Sequence, residues 1–159
     1  MNKMSLGIRR RGRELALKII YSLKDQNISM GDVLGDFWAN FRFAEDQLGE
    51  ALDEADAPVH PEVRRFAEEL ATGVFSNLGE IDRVIEEFST NWALDRMARV
   101  DKALLRLATF ELICRPDVPS SVVINEAIEV GKRYGTKETP AFVNGILDKI
   151  SRTRRPSKA

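Results

Sequence analysis

The chain has one cysteine, Cys114, and one histidine, His60, among its 159 residues. A lone cysteine excludes an internal disulfide framework and favours a reducing compartment. A lone histidine leaves a zinc site short of its usual ligands, and a Ser-His-Asp or Cys-His catalyst would depend on His60 alone. His60 lies between Val59 and Pro61 at a helix start, where a surface or capping role is expected. Cys114 ends an apolar run and reads as a packing residue. Six prolines and ten glycines are too few for a low-complexity chain, and the glycines are scattered rather than gathered into a phosphate loop. No window approaches 18 uncharged apolar residues, so no membrane span is expected. The basic start, MNKMSLGIRRRGREL, lacks the apolar stretch of a secretory signal. Glu68-Glu69 and Glu86-Glu87 are adjacent pairs that diverge by about 100° on a helix, so neither converges as an acid/base pair. These absences leave no catalytic constellation, no metal site and no cofactor motif; a binding protein is expected rather than an enzyme.

A hydrophobic fraction of 43% supports a core. The net charge of −1 conceals a strong asymmetry. Residues 1–18 hold six cations (Lys3, Arg9, Arg10, Arg11, Arg13 and Lys18) against Glu14. Residues 25–90 hold sixteen acids against four arginines, and residues 149–159 hold five cations and no acid. An acidic body with basic ends suits a polyanion partner; ordinary solubilising charge is the competing explanation.

Apolar residues recur with helical spacing along the chain. Over residues 6–25, Ile8, Leu15, Ala16, Ile19, Ile20 and Leu23 share one side, while Arg10, Arg11, Lys18 and Tyr21 fall opposite. Gly12 weakens this helix by roughly 1 kcal/mol relative to Ala. Ser29 reads as an N-cap with Asp32 three residues on, before a stripe of Met30, Val33, Leu34, Phe37, Trp38 and Phe41. The acidic stretch 42–59 reads as a weak helix or a solvated connection. A third helix starts at Pro61, and a fourth carries Ile81, Val84, Ile85 and Phe88 after a break near Gly79. Trp92 and Leu94 lie on a connection expected to cover the core. Residues 100–114 are apolar nearly all round, apart from Lys102, Arg106 and Thr109, and read as a buried central helix. Ser120 or Ser121 caps the next helix, whose inward face is Ile124, Ala127, Ile128, Gly131 and Tyr134, with Gly135 as its C′ residue. Thr139-Pro140 opens the last helix, with Phe142, Val143, Ile146, Leu147 and Ile150 inward. Asn144-Gly145 within it is odd, since glycine costs helix stability; close packing is preferred over partner contact as the reason. The expected fold is all-α, about seven helices in two packed three-helix-type bundles forming one domain over 1–159, with residues 152–159 a disordered tail.

Binding is best motivated on the first helix. Arginine suits phosphate because its planar guanidinium donates in a fork and stays charged. Tyr21 on the same face is placed to stack on an unpaired base. Electrostatics alone do not separate RNA from DNA or an anionic membrane.

Three segments carry a resemblance: RRRGRELALKIIYSL (9–23), VDKALLRLATFEL (100–112) and DVPSSVVINEAIEVGKRYGTKETPAFVNGILDKI (117–150). Together they resemble the bacterial transcription antitermination factor family NusB. The INEAIE and FVNGILDKI blocks stand at the family's separation. At Gly12 the family pattern more often carries Ala.

The resemblance implies a cytoplasmic, non-enzymatic, all-helical protein that binds boxA RNA of nascent transcripts, notably from ribosomal RNA operons. It implies ribosomal protein S10 (NusE) as partner within the RNA polymerase antitermination complex, and a homodimer in the free state of some members. Motif positions carry the RNA role to Arg9, Arg10, Arg11 and Arg13; Lys18 and Tyr21 join them from the helical wheel. Asp101, Glu138, Phe142 and Asn144 are carried to the S10-facing region. Two alternatives stand beside this. One is a helical interaction adaptor without specific RNA binding. The other is the recognition arm of an RNA cytosine methyltransferase, against which 159 residues leave no room for a cofactor-binding α/β domain.

Overall fold

The computed structural model describes residues 3–23, 29–40 and 60–155. Phe41, the acidic stretch 42–59 and residues 156–159 lie outside the described residues. Within them the chain forms seven α-helices and no strand: α1 (Lys3–Ser22), α2 (Met30–Asn40), α3 (Pro61–Ser76), α4 (Leu78–Phe88), α5 (Arg99–Cys114), α6 (Ser120–Tyr134) and α7 (Thr139–Arg154). A 3-10 turn, Leu94–Arg96, precedes α5. The all-α expectation is met. The chain divides into two compact units, residues 1–75 and 76–159. The first holds α1 to α3 and the second holds four helices, α4 to α7, one more than a three-helix bundle.

In the first unit, Ser29 caps α2 as its sequence predicts, its Oγ accepting from Asp32 N–H at 3.2 Å. Pro61 opens α3, where a missing N–H costs nothing. His60 has the expected capping role: its Nδ1 accepts from Glu62 N–H at 3.1 Å. Val63, Ala67, Leu70, Ala71 and Val74 form the buried stripe of α3. Phe66 lies so close to α1 that a Cβ on Gly12 would stand 2.5 Å from its Cδ2. Gly12 therefore does not loosen α1; it admits an aromatic ring. Trp38 of α2 donates its indole N–H to Glu68 Oε2 at 2.8 Å, and Arg64 lies 4.8 Å over the same ring.

In the second unit α5 is the buried centre, with Ala103, Leu104, Leu105, Leu107, Ala108, Phe110 and Leu112 buried. Each fully buried leucine contributes about 1.5–3 kcal/mol through its removal from water. Helices α5, α6 and α7 pack against one another, and α4 packs on α5 and α7. Arg106 forms a two-pronged ion pair with Asp82 of α4 at 2.9 and 2.8 Å. Thr109, expected on the polar strip of α5, is fully buried.

Several boundaries differ from the sequence reading. The break between α3 and α4 falls at Asn77, because Gly79 is tolerated in the first turn of α4. No serine side chain caps α6; the Pro119 carbonyl accepts from Val122 and Val123 instead. The buried face of α6 is Val123, Ala127, Val130 and Gly131; Ala127 and Gly131 are inward as expected, while Ile124, Ile128 and Tyr134 are half-buried. Gly135 is not left-handed but has φ −94°. It is required for space, since a Cβ there would stand 2.6 Å from Thr139 Cβ. Trp92, expected to cover the core, is 52% exposed. Helix α7 continues to Arg154, past the point where disorder was expected. Three contacts hold that end: Arg152 to Asp148 at 3.1 Å, Arg154 to Glu87 at 2.9 Å, and Arg155 donating to the carbonyls of Arg115, Pro116 and Val118.

Candidate nucleic-acid and partner surfaces

Helix α1 changes character along its length. Gly7 and Arg10 are exposed, and Ile8, Arg9 and Arg11 are half-buried. From Gly12 to Ile20 every residue is buried. The sequence-predicted RNA residues are therefore split. Arg9, Arg10 and Arg11 form an accessible cationic end, with Arg11 also 3.3 Å from Glu14. Arg13 is 3% exposed, its guanidinium 5.6 Å from the centre of the Phe66 ring. Lys18 is also 3% exposed, and Tyr21 is half-buried. The placement of Lys18 on a solvent face is thus corrected. A helical wheel assumes one side meets water, and α1 is covered on all sides over this stretch.

In the second unit, three of the four expected partner residues gather at the N-terminal end of α7. Asp101 is half-buried, and its Oδ1 accepts from Thr139 Oγ1 at 2.7 Å. Glu138 is exposed, immediately before α7. Phe142 is half-buried and meets Trp92 edge-on, centroids 6.4 Å apart at 86°. Asn144 lies on a different side of α7, 200° around from Phe142 by helical geometry. Asn144 and Gly145 are both exposed, and a Cβ on Gly145 would meet nothing within 4 Å. Close packing, the preferred explanation of that pair, does not account for it.

The sequence reading missed Thr139 as a tertiary contact. Its hydroxyl accepts from Thr136 N–H at 2.9 Å while donating to Asp101. Gly131, Gly135 and Thr139, at intervals of four, were the available signal, since two residues without side chains make room for the third.

Among the described residues, two ionisable groups stand away from their ordinary values. Burial, helped by the Glu80 carboxylate, raises the Cys114 thiol. Burial lowers Arg155, against the opposing pull of Asp117 and Glu111. No cluster of three His, Cys, Asp or Glu side chains is placed to hold a metal among the described residues. No described helix is long and apolar enough to cross a membrane.

The described residues form seven helices in two units, with a cationic helix end in one and an aromatic pair, exposed Trp92 against half-buried Phe142, in the other: an all-helical protein with two accessible surfaces suited to binding. Comparison with known proteins gives the family. The NusB family model matches residues 10–152. The transcription antitermination protein NusB of Syntrophotalea carbinolica is 62% identical over 153 residues, covering 96% of this chain and 97% of that protein. A solved structure of T. maritima NusB is 34% identical, with a TM-score of 0.73 and 93% of each chain covered. The same fold occurs in a crystal structure of antitermination factors NusB and NusE in complex with dsRNA. That likeness is at 21% identity and a TM-score of 0.72, over 92% of this chain and 98% of that one. The chain belongs to the NusB family.

Proposed function

We propose that this chain is a cytoplasmic transcription antitermination factor. It binds boxA RNA of nascent transcripts and pairs with ribosomal protein S10 within the RNA polymerase antitermination complex. It acts by binding, without catalysis or cofactor. The observation that carries this is the accessible triplet Arg9, Arg10 and Arg11 at the start of α1, in a chain 62% identical to an antitermination protein. Guanidinium groups at a helix end suit phosphate oxygens through charge and forked donation. Arg13 and Lys18, being buried, act through the packing of α1 rather than by touching phosphate. Tyr21 is placed for one stacking contact. The S10-facing residues are Glu138, Phe142 and Asn144, with Asp101 holding α7 in position.

The test is co-purification of S10 on the immobilised full chain, with boxA RNA, with scrambled RNA and without RNA. Retention of S10 that rises with boxA RNA and not with the scrambled strand is expected. S10 retained equally in all three, with no RNA bound, would support the adaptor reading instead.

A further inference from the structure

The connection between α4 and α5 lines an open surface cavity of about 470 Å³, bordered among others by Glu86, Ser89, Asn91, Trp92, Asp95 and Arg96. Trp92 is the most exposed large apolar side chain among the described residues, at 52%. Its edge-on contact with Phe142 holds the indole without covering both of its faces. Elsewhere in this chain aromatic rings carry arginines. Arg13 lies over Phe66, Arg64 over Trp38, Arg115 over Phe110 and Arg133 over Tyr134. Trp92, of the ring type that binds cations best, carries none from the described residues.

The carboxylates beside it are also unspent. Glu86 and Asp95 are exposed, and neither forms an ion pair among the described residues. Arg96 lines the same cavity without neutralising either of them. The next carboxylate along α4, Glu87, by contrast, is paired with Arg154 at 2.9 Å. A buried lining residue supplies a further, independent sign. Ser89 is 7% exposed, and its Oγ has no hydrogen-bond partner. A buried hydroxyl without a partner is uncommon, and a donor entering the cavity would satisfy it.

We propose that this cavity receives a lysine or arginine side chain of a protein partner, held over the Trp92 indole and between the Glu86 and Asp95 carboxylates. An indole face with two unpaired acids is complementary to a cation and repels RNA phosphate. This deepens the reading that the chain pairs with S10, and it rests on that reading for the partner's identity. It adds Trp92, Glu86 and Asp95 to the partner surface, next to Phe142.

The experiment uses the full chain with Trp38→Phe, so that Trp92 is the remaining tryptophan. Its indole N–H resonance is followed during titration with N-acetyl-arginine amide, with uncharged N-acetyl-norleucine amide as control, then with S10, then with boxA RNA. A saturable shift with the arginine derivative and not with norleucine is expected. Glu86→Gln with Asp95→Asn should abolish it while leaving circular dichroism native, and should weaken S10 binding about tenfold. An arginine derivative that leaves Trp92 unmoved, or moves it equally in the double variant, overturns the proposal. So does a Trp92 resonance that responds to boxA RNA but not to S10. Failure of the parent chain to bind S10 removes the pairing reading, and the arginine titration still decides the site.

Discussion

Thr139 Oγ1 donates a 2.7 Å hydrogen bond to Asp101 Oδ1, tying the first turn of α7 to the first turn of α5. Thr139 is fully buried, while Asp101 is half-buried. Asp101 was assigned to the partner surface by family pattern, and its geometry gives it a structural task as well. Thr139→Val keeps the volume and removes the donor, leaving a carboxylate oxygen without its partner. Urea denaturation should show a loss of about 1.5–3 kcal/mol, the range for a hydrogen bond to a charged group. A loss below about 0.5 kcal/mol would mean that water replaces the hydroxyl without cost.

The partner surface is therefore tested more cleanly at Glu138, which is exposed and holds no ion pair among the described residues. Glu138→Lys should leave stability within about 0.5 kcal/mol of the parent and weaken S10 binding in isothermal titration. Unchanged S10 affinity would remove Glu138 from the surface.

Gly12→Ala sets two effects against each other. Helix propensity favours alanine by about 1 kcal/mol. The new methyl would meet the Phe66 ring at 2.5 Å, and a packed ring does not move aside as a flexible side-chain end does. Overpacking should win, with a net loss of about 1–3 kcal/mol. Combining Gly12→Ala with Phe66→Leu should recover part of that loss relative to the sum of the two single variants. Simple additivity would show that the contact is not the cause.

Cys114 is surface-accessible, yet its thiol is held above the ordinary value by burial and by Glu80. The thiolate is the reactive form. Iodoacetamide labelling of the native chain at pH 8 should be slower than that of the chain unfolded in urea, and the native rate should climb at higher pH than the unfolded rate. Equal rates would contradict the shift.

Much of the fold was legible because periodicity is a local property. The nearly all-round apolar run 100–114 and the stripe through Leu147 both predict core, and Leu104, Leu105 and Leu147 are buried to 1% or less. What was not legible depends on neighbours distant in sequence. No wheel diagram shows that Arg13 and Lys18 are covered, because what covers a helix is not written in its own residues. The exposure of Trp92 was misread for the same reason, since an apolar residue on a connection reads as core unless the tertiary fold leaves it outside. Gly12 and Gly135 were read as backbone features and are steric ones, fixed by Phe66 and Thr139.

The central claim, that the exposed end of α1 binds RNA phosphate, is tested most directly by the salt dependence of boxA RNA affinity. The comparison is the parent chain against Arg9→Ala, Arg10→Ala and Arg11→Ala combined. For a single strand the logarithm of affinity falls with the logarithm of salt by about 0.7 per phosphate neutralised. Three lost contacts should lower affinity for boxA and scrambled strands alike and flatten the slope by about 2, with circular dichroism unchanged. A folded triple variant with the parent's affinity and slope would place the RNA site elsewhere and contradict the account.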